Sequence, residues 1–96
     1  MTCTRAALVL GKCTGKGLEA LAGKGEALLN EVAKALEEAG FKVRDKGFLV
    51  GEYDFFLLVE EEGSHDHIDL RKLASTLVKA LKGFAKTTTL PVLAGL

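Results

Sequence analysis

The sequence predicts a single α+β domain whose elements follow the order β-α-β-β-α-β. Short apolar runs that suit strands, two stretches with apolar residues at helical spacing, and glycines at the boundaries support this prediction. The 96 residues fit one domain that spans positions 1–96. A hydrophobic content of 48% is enough for a core, and it indicates more apolar surface than a monomer of this size hides.

The first half of the chain supplies a strand, a connection and a helix. Residues 5–10, "RAALVL", are predicted to form the first strand. Residues 11–25 read as a glycine-rich connection that contains one short helical turn. Residues 26–39 carry apolar side chains at helical spacing, and Gly40 stands where a left-handed C-terminal cap belongs.

The second half supplies a hairpin, a helix and a last strand. Residues 41–50 and 53–61 are predicted to be antiparallel strands around a turn at 51–52. An N-cap is expected at 64–66, and Gly83 ends the helix that follows. This helix presents one apolar stripe, made of Leu70, Leu73, Ala74, Leu77, Val78 and Leu81. Residues 84–93 form the fourth strand, in which Pro91 favours an edge position.

This element order is that of the ferredoxin-like fold, a four-stranded antiparallel sheet with both helices on one face. Two right-handed crossovers give the strand order 4-1-3-2, which fits the apolar first and third strands and the polar second and fourth. The other face stays open. This open face is expected to carry Val9 of the first strand. From the third strand it carries one of two alternating sets of side chains, either the set that contains Phe55 or the set that contains Phe56. An exposed apolar face predicts a homodimer, sheet against sheet, with a barrel-like core.

Composition excludes several classes of function. The 13 basic and 13 acidic side chains give a net charge of zero, which argues against nucleic acid as a partner. No apolar run is long enough for a membrane span, and the run at residues 6–10 is too short for a signal peptide, so a cytoplasmic protein is expected. Cys3 and Cys13 would lie roughly 33 Å apart along one strand, far beyond disulfide distance. Free thiols are therefore expected.

The stretch "GEYD" at residues 51–54, followed by "FFLLVE", resembles the GYD domain family. The residues that name this family correspond to Gly51, Tyr53 and Asp54, and the likeness covers nearly the whole chain. The resemblance implies a dimeric α+β barrel and a family without an established biochemical role. The glycine- and lysine-rich stretch "GKCTGKG" at 11–17 departs from the family's pattern.

Tyr53 and Asp54 are the first candidate site residues, together with Gly51. Strand alternation would send the tyrosine and the aspartate to opposite faces, so they are not expected to form one catalytic pair. Either can line a ligand pocket and exchange a proton. In the structural alternative, Asp54 accepts hydrogen bonds near the turn and Tyr53 packs with its hydroxyl bonded. Gly51 is expected to supply a positive φ in the turn.

The remaining candidates are weaker. His65 and His67 can supply two metal ligands, but helix capping and solvent exposure are the favoured explanation of their cluster with Asp66 and Asp69. The "GKCTGKG" stretch lacks the spacing of a P-loop and reads as a surface loop. Cys13 is expected to pack at a strand end, and the glutamates 60–62 to form a solvated strand end.

These observations favour a small homo-oligomeric ligand-binding or regulatory module that dimerises, or assembles further, through its sheet face. The alternative is a cofactor-independent enzyme on a small organic substrate, with Tyr53, Asp54 or a histidine in proton transfer. A metal-binding role through His65 and His67 is a third hypothesis. The predicted partners are a second copy of the chain and a small molecule, and no cofactor is predicted.

Overall fold

A computed structural model describes residues 6–61 and 68–92 of the chain. Its elements follow the predicted order β-α-β-β-α-β. They are β1 (Ala6–Cys13), α1 (Gly15–Glu38), β2 (Phe41–Phe48), β3 (Phe55–Glu61), α2 (Leu70–Leu81) and β4 (Ala85–Val92). Neither helix in these described stretches is long and apolar enough to cross a membrane.

The four strands form one antiparallel sheet in the order β2-β3-β1-β4. Read from the opposite edge, this is the predicted order 4-1-3-2, which is therefore confirmed. β1 and β3 are central, and β2 and β4 are the outer strands of the described sheet. A register shift between Val43 and Asp45 interrupts the pairing of β2 with β3.

The core lies between the helices and one face of this sheet. Alternation along β3 sends Phe55, Leu57 and Val59 to the helices, and all three are fully buried. On β1 the same alternation buries Ala7 and Val9. Val9 therefore faces the helices, and the prediction that it lies on the open face is wrong. Leu8 and Leu10 lie on the open face instead, because side chains along β1 alternate between the two faces of the sheet.

The first helix begins eleven residues earlier than predicted. α1 starts at Gly15, and β1 continues to Cys13, so the expected glycine-rich connection shrinks to Thr14. Glycine lowers helix stability by about 1 kcal/mol per residue relative to alanine, but each residue added to an existing helix gains a hydrogen bond. The buried second half of the helix, with Val32 and Leu36 fully enclosed, supplies the element from which it extends.

The second helix buries a narrower stripe than the sequence predicts. Leu73, Leu77 and Leu81 are buried, whereas Leu70 is 43% exposed and Val78 is 72% exposed. The helix begins at Leu70 with Asp69 as its N-cap, whose side chain accepts a hydrogen bond from the N–H of Lys72. The predicted cap at residues 64–66 lies outside the described residues.

Glu61 connects the end of β3 to the start of α2. Its Oε1 accepts a hydrogen bond from the N–H of Asp69 at 2.6 Å, and its Oε2 lies 3.5 Å from Nζ of Lys72. The side chain of Glu61 is only 6% exposed. The prediction of a solvated strand end is therefore wrong for this glutamate, because its carboxylate satisfies the N-terminal end of a helix.

Two glycines on the strands make room for aromatic rings on β3. A Cβ atom at Gly11 would stand 2.1 Å from Cζ of Phe55, and one at Gly47 would stand 2.7 Å from Cε1 of Phe56. Each ring lies over its direct cross-strand partner, Phe55 on the helix side and Phe56 on the open side. The glycines thus fix where the two rings of β3 lie.

Candidate functional site

The residues predicted to form the site lie in the connection before β3 rather than within the strand. β3 begins at Phe55, so Tyr53 and Asp54 are outside it, and strand alternation does not govern their directions. Gly51 has a φ of +139°, as expected for the turn that joins β2 to β3. Tyr53 and Asp54 are both half-buried.

Asp54 joins three strands through its backbone and its carboxylate. Its N–H donates to the carbonyl of Gly11 at 2.8 Å, and its carbonyl accepts from the N–H of Leu49 at 2.8 Å. Its Oδ2 accepts a hydrogen bond from the N–H of Cys13, also at 2.8 Å. These contacts match the structural alternative for Asp54, in which the carboxylate serves the backbone near the turn.

The bond from Cys13 to Asp54 has a simple origin in the sheet register. β1 pairs with β3 so that Gly11 faces Phe55, and continued pairing would bring Cys13 opposite Tyr53. Because β3 begins only at Phe55, no strand carbonyl meets the N–H of Cys13. The Asp54 carboxylate takes that place and ends the ladder with a charged acceptor.

The thiol of Cys13 is a poor nucleophile in this setting. The residue is buried, and burial raises the pKa of its thiol above the ordinary value, with the negative charge of Asp54 as the second cause. A thiol with a raised pKa stays protonated at neutral pH, and the thiolate is the reactive form. Cys13 therefore belongs to the core, as the sequence indicates.

The "GKCTGKG" stretch does not form the predicted surface loop. Gly11 to Cys13 belong to β1, Thr14 connects, and the rest opens α1. The hydroxyl of Thr14 lies within hydrogen-bond distance of the carbonyl oxygens of Gly83 and Phe84, 3.1 and 3.2 Å away. Lys12 is exposed and stands opposite Lys86 in the β1–β4 pair.

The metal-binding hypothesis depends on two histidines in the connection between β3 and α2. His65 and His67 lie outside the described residues, as does the other cysteine, Cys3. Within residues 6–61 and 68–92, no three histidine, cysteine, aspartate or glutamate side chains are grouped closely enough to hold a metal ion.

The open face of the sheet is the larger candidate surface. Its members follow from the registers: Leu8 pairs with Leu58 and Leu90, and Leu10 pairs with Phe56. Together these five side chains form a contiguous apolar surface, called here the open-face patch. Leu90 is 46% exposed and the other four are half-buried. The sequence predicted an apolar open face and left Phe56 as one of two alternatives for β3, but it placed Val9 there instead of Leu8 and Leu10. It assigned no residue of β4 to this face, because the β1–β4 register is set by long-range pairing.

Charged side chains surround the open-face patch. Lys12 and Lys86 lie at the end where β1 finishes. Across the sheet, Nε of Arg44 lies 3.6 Å from Oε1 of Glu60, and both side chains are substantially exposed. The arrangement is an apolar centre with a charged rim, which is the usual anatomy of a protein interface.

No family model, curated protein or solved structure matches this chain. The resemblance to the GYD domain family therefore stays a prediction, and the interpretation of the site depends on its own geometry.

Proposed function

We propose that this protein is a small self-associating binding or regulatory module whose dimer forms when the open faces of two sheets pack together. The observation that carries the proposal is the open-face patch, in which leucines and a phenylalanine from three strands lie side by side. In a monomer these side chains stay in contact with water. Burying apolar surface contributes about 25 cal/mol per Å², so their enclosure favours association.

The size of the face supports a second copy as the partner. An eight-residue strand is about 26 Å long, and four strands are about 14–19 Å wide. Their projected face is on the order of 400–500 Å² before the relief of the side chains is counted. A standard interface buries about 800 Å² of accessible surface on each partner, so a face of this projection fits a small interface between two copies.

The charges also favour a second copy. The chain has a net charge of zero, so two copies meet without long-range repulsion. The rim charges around Arg44 and Lys12 stay in water when the apolar centres meet. The sequence-based hypothesis expects any ligand of such a dimer either between the helices and the sheet or at the subunit boundary.

The enzymatic alternative receives less support from the geometry. Asp54 is one of its candidates for proton transfer, beside Tyr53 and the histidines, and its carboxylate accepts a hydrogen bond from the backbone N–H of Cys13. A residue with this role is placed to hold the sheet together. No observation in the described residues favours the enzyme over the module.

Light scattering coupled to size-exclusion chromatography tests the dimer. The wild-type protein is expected to exceed the chain mass of 10.2 kDa at least twofold at micromolar concentration. Leu58→Lys puts a charge within the open-face patch, beside Leu8, and is expected to remove this face-to-face association. Val50→Lys is the matched control, because Val50 is an exposed apolar residue in the β2–β3 turn.

A wild-type mass of one chain at these concentrations would refute the proposal. So would a Leu58→Lys variant that is folded by circular dichroism and associates like the wild type. Native mass spectrometry of protein taken from its source would add the second half of the test, since a retained small molecule appears as extra mass on the assembly.

A further inference from the structure

The outer edge of β4 exposes a defined set of backbone groups. The N–H of Thr14 donates to the carbonyl of Phe84, which makes these two residues a hydrogen-bonded pair beside β1 and β4. Bonded and non-bonded pairs alternate along an antiparallel ladder. Lys86, Thr88 and Leu90 therefore direct their backbone groups to β1, and residues 85, 87, 89 and 91 direct theirs outward. The lack of an N–H at Pro91 agrees with this phase.

The two edges of the described sheet differ in how they are protected. β2 carries Lys42, Arg44 and Lys46 and is interrupted by its register shift, both common devices against pairing at an edge. β4 has only Lys86 and Pro91, one near each end. Between them lie three threonines and Leu90, which suit a paired strand. Of the two edges formed by the described strands, β4 is thus the one that suits pairing with another strand.

A second apolar surface lies beside this edge. Leu70, Ala74 and Val78 follow one another at intervals of four residues on α2, and all three are exposed. They occupy one flank of the helix, next to its buried stripe. The opposite flank carries Thr76, which is half-buried, and Ala80, which packs against the core. The exposed flank therefore faces away from the body of the domain, on the helix that contacts β4.

We propose that the β4 edge and this flank of α2 form a second self-association surface, at which two copies pair antiparallel along β4. The pairing makes one continuous sheet of eight strands. Because α2 is the helix that contacts β4, pairing at this edge brings the α2 helices of the two copies to the same side of the joined sheet, next to each other. The exposed flanks of the two helices then cover each other.

The outward groups and the charges select one register. With Thr87 opposite Thr87 of the partner subunit, Ala85 meets the partner's Thr89. Each such pair exchanges two hydrogen bonds. Pro91 then falls opposite the partner's Gly83, beyond the paired stretch, so its missing N–H costs nothing. Lys86 lies opposite the partner's Thr88, which avoids two lysines facing each other.

This contact is independent of the open-face dimer. It uses the strand edge and one helix flank, whereas the dimer uses the sheet face. Two such two-fold contacts on one chain close into a four-subunit assembly when their axes are perpendicular. Because the surfaces differ, the Leu58→Lys variant removes the face contact and leaves the edge contact available for measurement.

Amide hydrogen exchange tests the edge contact without altering it. In NMR experiments on the wild type and on Leu58→Lys, the amides of Thr87 and Thr89 are expected to exchange more slowly as protein concentration rises. The amide of Phe48 is the control, because the bond from Leu49 to Asp54 makes it an outward group of the β2 edge. It is expected to stay fast. Exchange at Thr87 and Thr89 that is fast and independent of concentration in both proteins would overturn the proposal.

A pair of charge variants tests the register. Thr87→Lys and Thr87→Asp each place like charges together at the two-fold axis, and their mixture places opposite charges there. In the Leu58→Lys background, the mixture is expected to associate roughly fivefold more tightly than either variant alone. The corresponding pair of charge variants at Thr89, which faces the partner's Ala85, is expected to give no such gain. Equal affinities for the Thr87 mixture and its components would refute this register.

Where a Thr87 variant does not fold, exposed positions give the same information. In the Leu58→Lys background, where the face contact is absent, Thr88→Lys places a lysine opposite the partner's Lys86 and is expected to weaken the edge contact by up to about fivefold. Adding Lys86→Glu to the same chain turns that pair into an attractive one and is expected to restore it. Failure of this restoration would also contradict the register.

Discussion

At the scale of single residues, Asp54 is the position whose structural role is best defined. Its N–H donates a hydrogen bond to Gly11 of β1, and its carbonyl accepts one from Leu49, which directly follows β2. Its carboxylate takes the place of a missing strand carbonyl for the N–H of Cys13. The conspicuous tyrosine–aspartate pair is therefore explained in part by sheet construction. Its aspartate stabilises the place where β1 ends and β3 begins.

Asp54→Ala is expected to lower the free energy of unfolding by about 1–3 kcal/mol, because the N–H of buried Cys13 loses its acceptor. Asp54→Asn keeps an oxygen acceptor without the charge and is expected to cost less. Urea denaturation measures both. Glu52→Ala is the control, since Glu52 is exposed in the same turn. Equal stability of Asp54→Ala and Glu52→Ala would contradict the structural role.

The thiol of Cys13 is expected to make the free energy of unfolding depend on pH in the alkaline range. Burial raises the pKa of its thiol in the folded state, and the charge of Asp54 adds to the shift. Below the unfolded thiol's pKa of about 8.5, both states keep the proton and the stability is fully present. As the pH rises above it, the unfolded chain ionises first. The free energy of unfolding then falls until the folded thiol also ionises.

The expected result is a loss of stability above about pH 8.5 that is shallower in Cys13→Ala than in the wild type. Denaturation midpoints across this pH range measure it. Cys13→Ser also removes the thiol and is expected to show the same shallow slope as Cys13→Ala. Parallel curves for the wild type and Cys13→Ala would show that the thiol does not carry the effect.

At the scale of elements, α1 combines a well-packed second half with a first half that is intrinsically weak. Gly15, Gly17, Gly23 and Gly25 all lie within the helix. At Gly23 an added Cβ atom would meet nothing within 4 Å, so packing does not require glycine there. The helix therefore carries an avoidable loss of stability near its middle.

Gly23→Ala is expected to raise the free energy of unfolding by about 0.8–1 kcal/mol, the difference in helix propensity between the two residues. Thermal or urea unfolding measures the gain. Gly51→Ala is the opposite control, because its φ of +139° is unfavourable for alanine, and it is expected to destabilise. A neutral or destabilising Gly23→Ala would mean that the helix near residue 23 does not persist in solution.

The comparison of sequence with structure is also clearest at this scale. Element order, strand order and the apolar open face could be predicted, because periodicity and crossover handedness determine them. The start of α1 could not, since glycine penalties that look decisive locally are offset by packing further along the helix. The direction of Asp54 could not either, because it depends on β3 beginning at Phe55. The roles of Leu90 and Thr87 depend on the β1–β4 register, which has no local signal.

At the scale of the whole molecule, the domain has one core, on one side of its sheet, and apolar side chains outside that core. The helices cover one face of the sheet, while the open-face patch and the outer flank of α2 remain exposed. A domain of this size gains limited stability from its own core. Self-association is therefore expected to contribute to folding stability as well as to assembly.

This coupling makes the melting temperature depend on protein concentration, since association stabilises the folded state by mass action. The wild type is expected to melt at higher temperature as its concentration rises from micromolar to millimolar. Leu58→Lys is expected to reduce this dependence to the part that the β4 edge contact contributes, and Val50→Lys is expected to retain it in full. Differential scanning calorimetry at several concentrations measures the slope. A melting temperature that is constant across this range in the wild type would mean that the folded chain stands alone, and the apolar surfaces of the sheet and α2 would then need another partner.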